Sequence, residues 1–539
     1  MSYDIWIEAA HIADGTGRPV YTANVGIRGG TIAYIGQEAC GDAAVRRRLG
    51  ESEVLCPGFI DSHGHSECYL FSDRLMGPKL RQGVTTEVSG NCGIGFAPVA
   101  PAYFTELQDN FAGVAVGVEP PAFWRELDTF SSFLDRVEGA RTGINTAFYV
   151  AHGALRIAVK GYDSSPLTAG ERTRMHALLR EAMEAGAVGM STGFVYAPGS
   201  YATREEIWDL CQIVAGYGGV YATHMRDEGA RVLEAVEESI GVARRTGVRV
   251  LISHHKVTGR ANAHLIEPIH RMVEAARGEG LSIHLDQYPY SAGETTLTTA
   301  IPYPYLDGGI AKLLERLRDP ALRREIRHGV LHNDGTWQNP LDSTGFDGMS
   351  VLRAQNDPQA QGKSIARLAE ERGLDEVEVI FRLLEENQGQ VNCLVHFMDE
   401  GDVERIFQSP LVSVCTDSLL FGGGIPTHPR GYATYPKILG RFVREKRLVP
   451  LEEAVRKMTA MPADVFGMEH KGRVQVGMDA DLVIFDRDRV IDHGSYEDPK
   501  AENEGIETVI VNGMVALDHG RLSQQAAGRV LRKRGGGCV

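Results

Sequence analysis

The sequence lacks several features that mark particular classes of protein. It contains no run of about 18 uninterrupted apolar residues, so we do not expect a membrane-spanning helix. Its first residues, MSYDIWIEAAHIADGTG, show no basic segment followed by an apolar one, so we do not expect a secretion signal either. These absences predict a cytoplasmic protein with no membrane partner.

A disulfide framework and a basic surface are also missing. The cysteines form no CxxC pair and show no framework spacing, which is typical of a reducing compartment. The formal net charge is -15, and basic residues are interspersed with acidic ones, so we expect no nucleic-acid partner. An anionic substrate would have to be bound by local cations. The eight cysteines are Cys40, Cys56, Cys68, Cys92, Cys211, Cys393, Cys415 and Cys538.

The two ends of the chain resemble each other in their patterning. Residues 1–57 and residues 468–539 both contain short alternating segments broken by glycine, such as YDIWIEAAHIAD and DADLVIFDRDRVI, which predict β-strands. The 539 residues exceed what one ordinary domain needs. We therefore predict that both ends form one small β domain, split in sequence by a larger inserted domain.

The middle, residues 58–467, alternates buried-looking strands with amphipathic helices. Examples are GAVGMSTG before TREEIWDLCQIVAGYG, and GVYATHMRD before RVLEAVEESIGVARRTG. Repeated β–α units predict a parallel sheet, and their number favours a (β/α)8 barrel over an open sheet. The rhythm breaks after DQYPY, so we predict a lid-like insertion over about residues 291–350. The expected fold class is α/β, a (β/α)8 TIM-like barrel with a small β-sandwich domain built from both chain ends.

The segment PGFIDSHGHSE places His63 and His65 two residues apart after an apolar run. On a β-strand, residues i and i+2 point to the same face, so the two imidazoles can converge on one ion. A polar turn after a buried strand explains an isolated pair equally well. The rest of the chain has to decide between them.

Other residues of metal-ligand type follow other predicted strands. Cys92 follows TTEVSGN, His224 follows GVYAT, His254 follows VRVLIS and Asp417 follows LVSVCT. In a barrel such strand ends meet at the active face. Imidazole and thiolate are ligands that zinc prefers, and a carboxylate beside the metal suits a general base. Each histidine or cysteine alone could be core packing, but their placement at five strand ends indicates a metal centre.

These segments resemble the amidohydrolase superfamily and, more narrowly, the D-aminoacylase (N-acyl-D-amino-acid deacylase) family. The similarity covers nearly the whole chain and includes PGFIDSHGHSE, GVTTEVSGNCGIGFAP, YATHMRDEG, ISHHKVTG, DQYPYSAGETTL and HPRGYATYPKILG. It implies a tightly held zinc ion on Cys92, His224 and His254. It also implies a second, weaker site framed by Cys92, His63 and His65. The segment GAVGMSTG has no lysine, whereas hydantoinase-like relatives use a carboxylated lysine there to bridge two metals.

The resemblance also implies a reaction. It is zinc-dependent hydrolysis of the amide bond of N-acyl-D-amino acids, giving a carboxylate and a free D-amino acid. A metal-activated water is the nucleophile, and Asp417 acts as general base and then as general acid. Two alternatives stay open: a hydrolase of another amide, such as a cyclic amide or a dipeptide with a C-terminal D-residue, and a non-catalytic scaffold of the same fold. The sequence makes no prediction of the oligomeric state.

Three residues are candidates for binding the substrate carboxylate. Lys256 and Arg430 are similar in position to the family's carboxylate clamp, and Tyr288 in DQYPY is expected to join them. Lys256 is expected on the same strand face as His254. The alternatives are a salt bridge at the barrel top for Lys256 and a loop-ordering contact for Arg430.

Three further residues are candidates for contacting the substrate side chain. Val195 and Tyr196, in the FVYAPG loop, are expected to line the pocket, with packing of the lid as the alternative. Glu294 stands where relatives often have a small hydroxyl residue and would select a basic or polar side chain, unless it is a solvated loop residue. His152 is expected to support the site or the structure. Residues 226–228 are expected to form an ion-pair network that organises a strand end.

Overall fold

The computed structural model describes residues 2–39, 42–534 and 537–538. Cys40 therefore lies outside the described residues, as do parts of both predicted ends of the small β domain. In the described part of the chain, no helix has both the length and the apolar character needed to cross a membrane. The cysteines seen to be buried and unpaired are Cys56, Cys68, Cys92, Cys211, Cys393 and Cys415.

Strands dominate the two ends of the described chain, and strands and helices alternate through most of its middle. The strands are β1 (Tyr3–Ile12), β2 (Tyr21–Arg28), β3 (Thr31–Gly36), β4 (Ala43–Arg48), β5 (Glu53–Pro57), β6 (Phe59–Asp61), β7 (Val84–Ser89), β8 (Asn145–Phe148), β9 (Val150–Ala151), β10 (Gly189–Gly193), β11 (Val220–His224), β12 (Arg249–Ile252), β13 (Ile283–Gln287), β14 (Ala292–Thr296), β15 (Met349–Ala354), β16 (Val391–His396), β17 (Val412–Val414), β18 (Leu482–Asp486), β19 (Ile506–Val511), β20 (Met514–Asp518), β21 (Arg521–Leu522), β22 (Lys533–Arg534) and β23 (Gly537–Cys538). The α-helices are α1 (Tyr69–Ser72), α2 (Gly77–Leu80), α3 (Phe104–Phe111), α4 (Phe130–Ala140), α5 (His152–Lys160), α6 (Ala169–Ala185), α7 (Arg204–Gly216), α8 (Val232–Thr246), α9 (Ile266–Gly278), α10 (Gly309–Arg318), α11 (Pro320–Leu331), α12 (Pro340–Thr344), α13 (Ile365–Arg372), α14 (Glu376–Glu386), α15 (Glu400–Gln408), α16 (Arg430–Lys437), α17 (Leu451–Met458) and α18 (Ala460–Phe466). Short 3₁₀ helices cover Pro101–Tyr103, Ala122–Glu126, Gly199–Tyr201, Arg260–Leu265, Leu297–Ala300, Tyr303–Leu306 and Pro358–Ala360, and a π-helix covers Ile438–Glu445.

Eight parallel strands of the described chain form a closed barrel. β6, β7 and β8 pair in one sheet, and β9 to β13 and β17 pair in another. β8 and β9 are two parts of one barrel strand, separated by Tyr149, whose N–H donates to the Ser89 carbonyl. A bridge between Gly64 and Ser418 joins the segments that follow the first and the last barrel strands. The predicted (β/α)8 barrel is confirmed.

The two ends of the chain share one nine-stranded sheet. Its order is β21-β20-β19-β18-β5-β1-β2-β3, with β4 paired to β1. β5 and β18 come from opposite ends of the chain and pair antiparallel, with Leu55 opposite Ile484. A separate apolar core that includes Ile7, Val25 and Leu482 lies within this sheet. The ends therefore associate as predicted from their patterning, while the boundaries at residues 57 and 468 stay a prediction.

The insertion after β13 is longer than the sequence predicts. Its small sheet has the order β14-β16-β15, and β16 lies well beyond the predicted end near residue 350. Helices α13 and α14 bury one face, as barrel helices do, and β16 is buried along nearly its whole length. Because these patterns match those of barrel units, sequence periodicity cannot separate the insertion from the barrel.

Apolar packing fills part of the barrel interior and leaves the polar groups at one end. Ile60, Val88, Val220 and Leu251, from four barrel strands, belong to one buried cluster with Phe466 of α18. The polar side chains gather instead in the segments that follow the strands. This is the end of a (β/α)8 barrel at which active sites form.

Candidate active site

The histidine pair after β6 lies beyond the strand. β6 ends at Asp61, so His63 and His65 are not on a strand face, and strand alternation does not explain why they converge. Their ring centroids still lie 5.4 Å apart. The N–H of Asp417 donates to the carbonyl of His63 at 2.8 Å. This contact between the first and last barrel units sets the pair beside Asp417.

Cys92, His224 and His254 form a first group of metal-ligating side chains. Cys92 Sγ lies 3.4 Å from His254 Nε2, and His254 Nε2 lies 3.0 Å from His224 Nδ1. The three residues are buried, and their donor atoms lie within 4.8 Å of one another. One thiolate and two imidazoles around a common point form a donor set that suits zinc.

A second group shares Cys92 and adds His63, His65 and Asp417. Cys92 Sγ lies 3.3 Å from His63 Nε2. Asp417 Oδ1 lies 3.3 Å from His63 Nε2 and 3.5 Å from His65 Nε2. Cys92 is thus the side chain common to both groups.

The protonation chemistry of both groups fits a metal ion. Burial lowers the pKa of His63, His224 and His254 well below its ordinary value, so each imidazole is neutral and has a lone pair to donate. Burial raises the pKa of the Cys92 thiol well above its ordinary value, so a thiolate here needs a cation beside it. A zinc ion bound here would supply that cation.

Three of these residues have a left-handed backbone. The φ angle is 54° at Cys92, 38° at His254 and 48° at Asp417, a region that is unfavourable for residues with a Cβ. Such conformations persist where the surroundings enforce them, and they occur often at functional sites. At His254 the enforcing contact is visible, because its N–H donates to the buried carboxylate of Asp286 at 2.6 Å.

Glu228 lies behind the first group of ligands. Its Oε1 is 3.1 Å from His254 Nδ1, and its Oε2 is 3.5 Å from His224 Nε2. His254 Nδ1 thus faces the Glu228 carboxylate, while its Nε2 faces Cys92. Carboxylates in this position orient metal-binding histidines and raise their basicity. Glu228 therefore contacts the outer nitrogens of both imidazoles in the group.

Lys256 neutralises Glu228. Its Nζ donates to the two carboxylate oxygens at 2.9 and 3.1 Å and lies 2.7 Å from His254 Nδ1. The sequence predicts Lys256 on the same strand face as His254, but β12 ends at Ile252 and both residues lie beyond it. In this structure Lys256 therefore forms a salt bridge, which is the alternative to its binding the substrate carboxylate.

A buried lysine, Lys79, links the segments that carry the second group. Lys79 Nζ donates to Asp61 Oδ2 at 2.5 Å and to Ser418 Oγ at 2.7 Å, and it lies 2.8 Å from Glu87 Oε2. This network connects β6, β7 and the segment after β17. Asp61 in turn accepts a hydrogen bond from the His63 N–H at 3.3 Å, so the network reaches the backbone of the second group.

The outer nitrogens of the second group lack comparable support. Among the described residues, neither His63 Nδ1 nor His65 Nδ1 has a hydrogen-bond partner. The two ligand groups therefore differ in how firmly their imidazoles are oriented.

Asp417 forms an ion pair with Arg430. Arg430 Nη1 lies 2.7 Å from Asp417 Oδ2. Burial alone would raise the pKa of Asp417, but the Arg430 guanidinium holds it well below its usual value, so the carboxylate is ionised and can accept a proton. Arg430 Nε has no hydrogen-bond partner in the described chain, and the Tyr288 ring lies 4.8 Å from the guanidinium. Arg430 thus keeps a donor for a further anion.

A cavity of about 150 Å³ joins these groups. Tyr196 and Thr295 meet across it, with 3.1 Å between their hydroxyl oxygens, so β14 of the insertion forms one wall. His63 is fully buried and does not line the cavity. The predicted site residues that line it are His65, Cys92, Val195, Tyr196, His224, His254, Lys256, Tyr288, Glu294, Asp417 and Arg430.

His152 lies outside the cavity in a separate buried network. Its Nε2 lies 2.8 Å from Glu206 Oε1, and Arg156 Nη1 donates to Glu206 Oε2 at 2.7 Å. His152 belongs to neither of the metal-ligating groups found among the described residues. Its contacts are those of a structural residue.

Two contributors to the site are missed by sequence patterns. Glu228 is expected only in an ion-pair network at residues 226–228, yet Arg226 pairs with Glu238 and Glu228 contacts the ligands. Its position four residues after His224 is a usable signal, since it follows a candidate ligand closely. Lys79 has no such signal, because its partners come from segments far apart in the chain.

Comparison with known proteins identifies relatives over nearly the full length. Residues 52–516 match the amidohydrolase family. The chain is 35% identical to a D-aminoacylase of Alcaligenes xylosoxydans xylosoxydans, over 98% of both chains. A solved D-aminoacylase with a binuclear metal centre, described by one-metal activation and second-metal attenuation, is 34% identical with a TM-score of 0.82, covering 98% of this chain and 100% of that one. An N-acyl-D-glutamate deacylase of Bordetella bronchiseptica, solved with zinc and a phosphonate that mimics the tetrahedral intermediate, is 31% identical with a TM-score of 0.82, covering 99% and 100%.

Proposed function

The chain belongs to the amidohydrolase family, and on that premise we propose that it hydrolyses the amide bond of N-acyl-D-amino acids. The products are a carboxylate and a free D-amino acid. One observation carries the proposal: in a chain 35% identical to a D-aminoacylase, an ionised carboxylate, Asp417, lies between a metal-ligating group and a buried arginine.

Cys92, His224 and His254 are assigned to the tightly bound zinc ion. Glu228 supports this assignment, because it contacts the outer nitrogens of both histidines and such contacts strengthen metal binding. When bound, zinc polarises an amide carbonyl and lowers the pKa of a water molecule.

His63 and His65, with Cys92, are assigned to a second and weaker site. Their Nδ1 atoms have no partner in the described part of the chain, so their imidazoles are oriented less firmly than those of the first group. A relative described by one-metal activation and second-metal attenuation agrees with an unequal pair of sites.

Asp417 is assigned the proton transfers. As general base it accepts a proton from the attacking water at Oδ1, the oxygen that faces His63 and His65. As general acid it then delivers this proton to the nitrogen of the departing amine. The ion pair with Arg430 on Oδ2 keeps the carboxylate ionised before the reaction.

Arg430 is assigned to the substrate α-carboxylate, with Tyr288 and Lys256 beside it. Arg430 has an unused Nε donor, and a guanidinium can bind a carboxylate through two hydrogen bonds. The Tyr288 ring packs against Arg430 and lies 5.6 Å from Lys256 Nζ. An anchored carboxylate and an anchored amide carbonyl leave one direction for the side chain, which makes the site selective for one enantiomer.

The test is release of free amino acid from matched N-acetyl-D-norleucine and N-acetyl-L-norleucine. Purified protein is assayed as prepared, after chelation of its metal, and after zinc is restored. Hydrolysis of the D-enantiomer that is lost on chelation and recovered with zinc supports the proposal. Equal hydrolysis of both enantiomers, or D-hydrolysis that survives removal of all metal, contradicts it. The cytoplasmic location expected from the sequence stays a prediction.

A further inference from the structure

Glu294 is a buried carboxylate without a partner inside the cavity. It lies on β14, is 7% exposed and lines the cavity. Neither of its carboxylate oxygens has a hydrogen-bond partner among the described residues. Burial of a polar group without a partner costs free energy, so this carboxylate favours a ligand that donates a hydrogen bond to it.

The basic side chains of the cavity are paired with other carboxylates. The two that line the cavity are Lys256 and Arg430. Lys256 is engaged by Glu228 at 2.9 Å, and Arg430 by Asp417 at 2.7 Å. Of the other carboxylates that line the cavity, Asp109 is only partly buried. Glu294 is therefore the buried carboxylate left without a cation, and the proposed function commits Arg430 to the substrate carboxylate as well.

The position of Glu294 suits contact with the substrate. Its neighbour Thr295 lies 3.1 Å from the Tyr196 hydroxyl, and the Tyr196 ring packs edge-on against His224, with 5.4 Å between ring centroids. Glu294 and Thr295 both line the cavity, so Glu294 belongs to the same cavity wall, next to the metal-ligating residues. Burial raises its pKa to about 8, although Arg430 and the backbone of His428 act in the opposite direction, and a cation placed directly beside it would favour its ionised form further.

We propose that Glu294 determines substrate choice by binding a cationic group, an ammonium or a guanidinium, of the N-acyl-D-amino acid. This inference rests on the proposed function and names the substrate class of the same site. The cation has two sources: the side chain of a basic D-amino acid, or the amino terminus of an aminoacyl group in a dipeptide with a C-terminal D-residue. Both present the same chemistry to the carboxylate.

The experiment compares substrates that differ by one charge. N-acetyl-D-lysine is paired with N-acetyl-D-norleucine, which lacks the terminal ammonium of the side chain. Glycyl-D-norleucine is paired with N-acetyl-D-norleucine, which lacks the ammonium of the acyl group. The kcat/KM ratio within each pair is measured for the zinc-loaded wild type, for Glu294→Gln and Glu294→Ser, and for Glu106→Gln. Glu106 lies on α3 but does not line the cavity, so its variant is the matched control.

In the wild type, at least one cationic substrate should be preferred by about tenfold or more, the size expected for a hydrogen bond to a charged group. Glu294→Gln and Glu294→Ser should both bring that ratio close to one, while Glu106→Gln keeps it. The pair that responds identifies the source of the cation. A folding defect lowers both members of a pair together and leaves the ratio unchanged.

Two results overturn the inference while leaving the proposed function intact. One is that the wild type hydrolyses N-acetyl-D-norleucine as efficiently as both cationic substrates. The other is that a preference for the cation persists in both Glu294 variants. If zinc-loaded protein hydrolyses no D-substrate, the proposed function fails and this inference fails with it.

Discussion

Two buried glutamates in the barrel have nearly the same surroundings but lie in different regions. Glu206 lies 2.8 Å from His152, and Glu228 lies 3.1 Å from His254. Each carboxylate also forms an ion pair with a buried basic side chain. They are 5% and 2% exposed, respectively. Local chemistry alone therefore does not separate a structural carboxylate from one that serves a metal site.

The two glutamates differ in what the second ring nitrogen of their histidine partner contacts. The other nitrogen of His254 faces Cys92 and His224, whereas the Nδ1 of His152 has no hydrogen-bond partner in the described chain. We expect Glu228 to act on metal affinity as well as on stability, and Glu206 to act on stability alone. Substitutions in the two regions can strengthen or break this distinction.

The largest effect is expected at a third buried carboxylate, Asp417, which contacts ligands and cavity directly. Asp417→Asn cannot accept a proton, so kcat/KM for an N-acetyl-D-amino acid should fall by about 10²–10⁴-fold. Zinc at Cys92, His224 and His254 should be retained. Steady-state kinetics and metal analysis on the same preparation measure both quantities. A decrease in kcat/KM of less than tenfold would show that Asp417 does not carry out the proton transfers.

The next effect is on folding. Glu206→Gln leaves Arg156 buried without its counter-charge, which should lower the free energy of unfolding by about 3–5 kcal/mol. Urea titration of wild type and variant measures the difference. Zinc content of the folded variant should match the wild type. Zinc loss at unchanged stability would mean that Glu206 serves the metal centre after all.

Glu206 also predicts a pH dependence. Burial alone would raise its pKa, but the contacts with His152 and Arg156 lower it to about 2, against an ordinary value of 4.5. The ionised form is favoured in the folded state, so its stabilising contribution is complete above pH 4.5 and is lost as the pH falls toward 2. Over this interval the wild type should lose about 3 kcal/mol more unfolding free energy than Glu206→Gln. Parallel losses in the two proteins would refute this assignment.

The smallest effect is expected at Glu228. Glu228→Gln keeps the shape of the side chain but removes the charge that orients His224 and His254, so zinc affinity should fall by about 10–100-fold. Competition with a chelator measures the affinity, with Glu206→Gln as the control for loss of a buried glutamate. Equal zinc affinity in the two variants would erase the distinction between the two regions.

The sequence predicts the barrel strands and the metal-ligating residues better than the contacts that hold those residues in place. Strand periodicity identifies the β–α units, and ligand-type residues after the strands identify Cys92, His224, His254 and Asp417 as candidates that the fold brings together. Periodicity fails at the insertion because α13, α14 and β16 are buried as barrel elements are. It also misplaces His63 and Lys256 on strand faces, since strand ends are set by long-range pairing.

The supporting contacts are the least predictable part. Lys79 meets Asp61 and Ser418, which are separated from it by 18 and 339 residues. No local sequence pattern predicts contacts between residues so far apart in the chain. Glu228 is an intermediate case, because it lies near His224 in sequence but reaches His254 only through the fold.

The most direct test of the metal assignment is an anomalous-diffraction map of zinc-loaded crystals collected at the zinc absorption edge, after dialysis against a weak chelator. We predict one dominant peak within about 2.0–2.3 Å of Cys92 Sγ, His224 Nδ1 and His254 Nε2. A dominant peak held by His63 and His65, with the first group empty, would contradict the assignment.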